Sequence, residues 1–315
     1  MTEMKGGRTQ NRRAFLKSAA GFGGLLLAAG ATHLTLASAG PRVPAVPGIG
    51  SIGVQLYTLR GLLEQDFEGT IEAVAKIGFK EVEFAGYYER SPEQVRKLLD
   101  RLGLTAPSAH VGLDVLRDDL EGALSAAQTI GHRYVTVPAL PGAFGGTITA
   151  DDWRRYAEEF NRLGRAAQEK GLRFAYHNHG FEFIPADGET TGYDILLAET
   201  DPALVSFELD LMWTVFAGQD PLALFERHPG RFVMWHVKDM REIEATRAAM
   251  SQGPAGFRSL FERIAAVGEG EIDFKPIFAR AEQSGLLHFF VENDAPKDAL
   301  QDVQTSYSNL KKMLT

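Results

Sequence analysis

Ser91-Pro92-Glu93-Gln94-Val95-Arg96-Lys97-Leu98-Leu99-Asp100-Arg101-Leu102-Gly103-Leu104-Thr105-Ala106-Pro107-Ser108-Ala109-His110 contains a complete helix and the strand that follows it. Ser91 reads as an N-cap, with Pro92 at the first helical position, where its missing N–H costs nothing. Val95, Leu98, Leu99 and Leu102 recur at three- and four-residue spacing, so one face of the helix is apolar. Gly103 supplies the left-handed stop. Thr105–Ala109 then reads as a short strand that runs into an ionisable residue, His110.

The same unit repeats on both sides. Strands are expected at Ile52–Tyr57, Glu81–Phe84, Thr105–Ala109, Tyr134–Val137, Arg173–His177, Val205–Asp210, Phe232–Val237 and His288–Glu292. Amphipathic helices are expected between them, among others at Phe67–Ile77, Leu120–Ile130 and Asp152–Glu169, with Gly78, Gly131 and Gly171 as further stops. Asp220-Pro221 repeats the cap-plus-proline start. Eight such units over residues 51–315 predict a single-domain α/β protein, a (β/α)8 TIM barrel. A doubly wound sheet is disfavoured, because Thr58-Leu59-Arg60-Gly61 after the first strand is not a glycine-rich phosphate loop. The longest irregular piece, about 240–257, is expected to be a lid or rim insertion.

Composition agrees with a globular chain: 44% of residues are hydrophobic and 23% charged among 315. The absence of cysteine excludes disulfides, thiolate metal sites and thiol nucleophiles. Residues 1–39 read differently from the rest. Arg12-Arg13 precedes a Gly- and Ala-rich uncharged run ending in Ala37-Ser38-Ala39, the pattern of a twin-arginine export signal with a peptidase site. Residues 40–50, with Pro41, Pro44 and Pro47, read as an extended leader. Cleavage would remove five bases and one acid, shifting the net charge from −8 to −12. Nucleic acid is therefore not an expected partner; the export machinery is, and the expected location is periplasmic.

In a barrel of this kind the chemistry lies at the C-terminal ends of the strands. Six strand ends carry ionisable groups: Glu83, His110, His177-Asn178-His179, Glu208-Leu209-Asp210, His236-Val237-Lys238-Asp239 and Glu292-Asn293-Asp294. Charges placed there are costly unless paired or bound to metal. His177, Asp210, His236 and Glu292, each on its own strand, form a plausible ligand set for a borderline divalent ion such as Mn, Co, Zn, Ni or Fe.

The chain resembles the xylose-isomerase-like barrels, the sugar phosphate isomerase/epimerase group. The resemblance covers residues 51–315 and rests on His177-Asn178-His179, Glu208-Leu209-Asp210 with Trp213, His236-Val237-Lys238-Asp239, and Gly268-Glu269-Gly270-Glu271-Ile272-Asp273-Phe274 ahead of Glu292. It implies one divalent ion (Mn, Co, Zn, Mg or Fe) held by Asp210, His236, Glu292 and the strand-five residue. Relatives commonly read Glu-Asn-His where this chain has His177-Asn178-His179. Either His177 takes the glutamate's place as a ligand or the site is rebuilt around His179. Glu182 lies near a substrate-binding glutamate of the epimerases, and Trp213 stands where many relatives have a substrate-binding histidine.

A divalent ion that chelates a carbonyl and its neighbouring hydroxyl acidifies the C–H between them, which opens isomerisation, epimerisation and elimination. The leading expectation is a metal-dependent isomerase or epimerase acting on a non-phosphorylated sugar, keto-sugar or cyclitol. Glu292, His110, His179 and Lys238 are its catalytic candidates, with Tyr57, Glu83, Glu182, Trp213 and Arg241 as substrate contacts. Lys238 would either meet developing oxyanion charge or pair with Asp239. A lyase or hydratase on a keto-sugar or keto-glycoside is the enzymatic alternative, and a sugar-binding barrel without turnover the other. Neutral His177 in place of the glutamate removes a proton carrier, which shifts weight from simple epimerisation towards elimination or one-base isomerisation. The resemblance also leaves room for a homo-oligomer.

If Arg12 and Arg13 are the signal pair, replacing both with Lys should leave full-length precursor in the cytoplasm, while the parent should yield a mature chain starting near Gly40. Cell fractionation with N-terminal sequencing checks this, and normal delivery of the double variant would refute it.

Overall fold

The computed structural model describes residues 51–141, 143, 147–250 and 254–314. Within them eight parallel strands close into a barrel, in the order β1 (Gly53–Gln55), β2 (Glu81–Phe84), β3 (Thr105–His110), β4 (Tyr134–Val137), β5 (Arg173–His177), β6 (Val205–Asp210), β7 (Phe232–Val237) and β8 (His288–Val291), with β8 returning to β1. The expected signal and leader, residues 1–39 and 40–50, lie outside the described residues. No helix among the described residues is long and apolar enough to cross a membrane.

Local chemistry places the elements where the spacing predicts. Ser91 and Gln94 form a reciprocal capping box: the Gln94 N–H donates to Ser91 Oγ and the Ser91 N–H to Gln94 Oε1, at 3.3 and 2.8 Å. Helix Pro92–Leu102 buries Val95, Leu98 and Leu99 and stops at Gly103, whose φ is +64°. The first strand is shorter than expected. Gln55 folds its side-chain oxygen back onto the N–H of Tyr57 at 3.0 Å, which tightens Leu56–Leu59 into a 3-10 turn. Tyr57 therefore sits on a turn at the barrel mouth.

Strands β4 to β8 are almost wholly buried, because helices cover the outside and side chains fill the inside. Outward residues pack on the helix layer; Phe160 on helix Ala150–Glu169 meets Phe174 and Tyr176, each with ring centroids 5.1 Å away. Tyr134, Ala175, Met234 and Phe290 form a separate apolar cluster with Val233. Close packing at the seam explains Gly53, since a Cβ there would lie 2.5 Å from Phe290 Cδ1. The period of two carries Ala175 to His177, Met234 to His236 and Phe290 to Glu292 on the same strand faces. Apolar filling thus gives way to ionisable groups one step further along each strand.

The segment expected to be irregular is ordered wherever it is described. Asp239–Met240 pairs antiparallel with Ile264–Ala265, and helices Ile243–Ala249 and Pro254–Arg263 lie between them. Met212, Trp213, Phe216, Met240, Ile243 and Leu260 pack together beneath this rim. The mouth is further tied across the chain: Arg60 Nη2 donates to the Asp294 carbonyl and the Asn293 N–H to Thr58 Oγ1, both at 2.9 Å.

His132, between helix Leu120–Ile130 and β4, is 4% exposed. Its Nδ1 donates to the Ala106 carbonyl at 2.6 Å, which leaves Nε2 to accept from the Tyr87 hydroxyl at 3.0 Å. Burial, aided by Arg96, holds this imidazole down from 6.5 to about 4, although the Ala106 carbonyl favours its charged form. The unfolded chain therefore takes up a proton that the folded chain refuses. Stability from this group is complete above about pH 6.5 and falls by up to about 3 kcal/mol as the pH drops to about 4. Urea unfolding of the parent and His132→Gln at pH 7 and pH 5 should show a smaller acid loss in the variant. Equal losses would mean that His132 does not carry the effect.

Candidate active site at the barrel mouth

A cavity of about 390 Å³ opens at the C-terminal ends of the strands. Tyr57, His110, His177, His179, Trp213, Lys238, Glu292 and Asp294 line it, with Phe261 from the rim. Of the substrate contacts expected from sequence, Tyr57 and Trp213 are in this wall. Glu83 is fully buried beneath it, held by Gln55 Nε2 at 2.8 Å and His236 Nε2 at 2.6 Å. Glu182 is also buried and turned to other work: it accepts from the Tyr176 hydroxyl at 2.7 Å and the His179 N–H at 2.9 Å, so it shapes the loop that presents His179. Arg241 lies in a separate groove, its guanidinium held by the Glu269 carbonyl and carboxylate at 2.9 and 2.7 Å.

The four residues expected to hold a metal divide between two groups. Asp210, His236 and Glu292 bring donor atoms within 4.8 Å of one another, and so do His110, His177, Glu208 and His236. His236 belongs to both. Its Nδ1 faces Glu292 Oε2 at 2.6 Å, while its Nε2 faces Glu83 Oε2 at 2.6 Å and Glu208 Oε2 at 3.2 Å. Glu208, named above only as a strand-end acid, joins a group that could hold a metal and was not among the expected ligands. The period of two that turns Asp210 inward also turns Glu208 inward, and that was the available signal. Nitrogen and carboxylate donors at this density suit a divalent ion. Oε1 of both Glu83 and Glu208 is buried without a hydrogen-bond partner, so the donor set has capacity to spare.

Lys238 is 1% exposed and faces three carboxylates, Asp210 Oδ2 at 3.0 Å, Glu292 Oε2 at 2.8 Å and Asp294 Oδ1 at 2.8 Å. Its ammonium donates to Asp294 Oδ1 and lies within ion-pair distance of the other two carboxylates. It therefore anchors the acids rather than waiting for an oxyanion. It does not pair with Asp239 either. The Asp239 carboxylate accepts instead from the N–H groups of Met240, Gly268, Gly270 and Ile272 at 2.9 to 3.2 Å. A Cβ on Gly270 would collide with that carboxylate. Asp239 and the Gly268–Ile272 loop are thus one structural knot. Glu271 extends it, accepting from the N–H groups of Glu242 and Ile243 at 2.9 and 3.1 Å and so capping a rim helix.

Burial alone would discharge His236, but Glu208, Glu292 and Glu83 hold its imidazole well above the usual range. Burial opposes ionisation of Glu292 as well, yet Lys238 and His236 keep it well below. Desolvation takes His177 the other way, down to about 3, with His236 adding to the effect. Asp210 is pushed up to about 6 by burial against the pull of Lys238 and His236. Its Oδ1 accepts from the Trp213 N–H at 2.8 Å, capping the short helix Leu211–Phe216.

A barrel with these groups converging at its mouth defines a class, and comparison with known proteins gives the family. The chain belongs to the xylose isomerase-like TIM barrel family, whose sequence profile matches residues 71–312. It is 28% identical over 247 residues to inosose dehydratase of Geobacillus thermodenitrificans (strain NG80-2), covering 72% of this chain and 82% of that protein. A sugar phosphate isomerase/epimerase of Parabacteroides distasonis ATCC 8503 superposes with a TM-score of 0.67 at 26% identity, over 86% of this chain and 98% of that one. The IOLI protein, solved with a zinc atom, shares the fold with a TM-score of 0.65 at 16% identity, over 84% of this chain and 98% of that one. The structural relative thus bears an isomerase/epimerase name, whereas the relative from Geobacillus is a dehydratase.

Lys238→Met should destabilise the folded protein by about 3–5 kcal/mol, because it strands Asp210, Glu292 and Asp294 in a buried place without their cation. Urea unfolding near pH 7 measures this, and an unchanged midpoint would show that the three carboxylates find other partners.

Proposed function

We propose that this protein is a divalent-metal-dependent dehydratase that removes water from a non-phosphorylated keto-cyclitol of the inosose type. One observation carries the substrate class. The three basic side chains near the mouth are all committed: Lys238 to its three acids, Arg60 to the Tyr57 and Asp294 carbonyls, and Arg241 to Glu269. A phosphate would find no unengaged cation there among the described residues, whereas a neutral polyol finds carboxylates, imidazoles and two aromatic faces. The similarity to inosose dehydratase supports elimination over isomerisation.

A divalent ion held around His236 would supply Lewis acidity towards the substrate ketone. The chain's own residues do the rest. Elimination requires a proton to leave the carbon beside the ketone; the C–H electron pair becomes the double bond, and the hydroxyl one carbon further departs with a proton as water. A single residue balances both transfers when the two groups lie on one face of the ring. His179 lines the cavity from the loop after β5 and is the residue assigned to this work. Glu292 faces the same space and accepts hydrogen bonds from substrate hydroxyls, while Tyr57 and Trp213 cover the C–H surface and exclude water. The export signal expected from Arg12-Arg13 adds the proposal that this takes place in the periplasm.

Metal-loaded protein incubated with an inosose in D2O, followed by mass spectrometry and NMR, should give a product one water lighter. His179→Asn should stop turnover while keeping its metal. A product that keeps all its oxygens and carries solvent deuterium on carbon would make the protein an isomerase or epimerase, and binding without turnover would make it a sugar-binding barrel.

A further inference from the structure

Asp210, His236 and Glu292, at three strand ends of the mouth, bring ligand atoms within 4.8 Å of one another. Asp210 has an oxygen to give an ion, since Oδ1 takes the Trp213 N–H while Oδ2 is buried with no hydrogen-bond partner. Lys238 shares this corner. Its Nζ lies 3.0 Å from Asp210 Oδ2 and 2.8 Å from Glu292 Oε2, so its charge stands beside any ion those oxygens hold. Two cations repel strongly in a water-poor interior, and both stay only if the ammonium has a counter-charge of its own. Asp294 is placed to be that counter-charge. Of the three carboxylates around Lys238 it alone accepts a hydrogen bond from the ammonium, through Oδ1 at 2.8 Å.

The segment that carries Asp294 is pinned. Its carbonyl takes Arg60 Nη2 at 2.9 Å, and the Arg60 guanidinium lies 4.1 Å from the centre of the Tyr57 ring. Next to it, Asn293 uses its side-chain oxygen on the Ala295 N–H at 2.9 Å and its amide on Asp302 Oδ2 at 2.8 Å. We propose that Asp294 is a positioning residue for the metal site: by holding the Lys238 ammonium, it lets the lysine and a divalent ion share the corner between Asp210 and Glu292. Three carboxylates then balance one ammonium and one divalent ion, while Glu83 and Glu208 meet Nε2 of His236, the ring nitrogen turned from Glu292. The proposal rests on the reading that a divalent ion binds at Asp210, His236 and Glu292, whatever reaction follows.

Zinc titrated into the metal-stripped protein against a chromophoric chelator tests this. Asp294→Asn should weaken zinc binding about 10- to 100-fold. In a Lys238→Met background the same change should cost less than about 3-fold, because the charge that Asp294 answers is gone. Equal losses in both backgrounds would show that Asp294 acts on the ion only as a nearby negative charge, and would overturn the proposal. An Asp294→Asn variant that binds zinc like the parent, or a parent that holds no zinc, would overturn it too. If Lys238→Met does not fold, Lys238→Gln, which keeps a hydrogen-bond donor, supplies the second background. No substrate enters these titrations, so an inosose assay without loss of water would remove the dehydratase reading and leave this one standing.

Discussion

The imidazole of His236 is where carboxylates from three other strands meet. Glu83 comes from β2, Glu208 from β6 and Glu292 from just beyond β8, and all three lie within 3.2 Å of one ring nitrogen or the other. Such a concentration of charge in a barrel interior is tolerable only if each charge is met by its opposite. The arrangement of the mouth follows from that demand. His236 collects the acids on one side, and Lys238, two residues on along the same inward face, collects Asp210, Glu292 and Asp294. One strand end therefore sets two cationic groups against five carboxylates, Glu292 being shared by both.

The remaining member of that motif has a different task. Asp239 follows Lys238 and, with successive side chains alternating, points away from the cavity. Its two oxygens take four backbone N–H groups, three of them from the loop that precedes β8. That carboxylate, fixed by backbone donors, holds the loop to the end of β7, and through Glu271 it holds the start of the rim helices too. Phe261 from this rim reaches the cavity wall. Site and rim are thus positioned by neighbouring residues of a single strand end.

The barrel was legible because its signals are local. Caps such as Ser91, stops such as Gly103 and apolar faces such as Val95, Leu98 and Leu99 sit within a few residues of the elements they define. The rim helices escaped notice for the opposite reason. Glu242 at the head of Ile243–Ala249 offers no capping side chain, and its cap comes from Glu271, far along the chain. The strand ends pointed to the residues that gather at the barrel-mouth cavity, but not to how they divide. Nothing in the spacing says that Glu182 is spent on Tyr176 and the His179 backbone, that Arg241 is spent on Glu269, or that Lys238 has three partners. Those are facts of packing. Glu208 and Asp294 could have been added to the candidates from the pattern, since each lies two residues from an expected ligand, Asp210 or Glu292.

The mouth of the cavity is stitched by partners from opposite ends of the barrel sequence. Arg60 reaches the Asp294 carbonyl, and Thr58 receives the Asn293 N–H. Contacts spanning more than two hundred residues carry a heavy loop-closure entropy and form only when most of the chain is in place. Until then Glu292 and Asp294 have no fixed position beside Lys238. A half-made barrel, whether a nascent chain or a fragment, therefore has most of the ionisable residues of this site but not their geometry. Capacity to act arrives in one step, with closure of the ring.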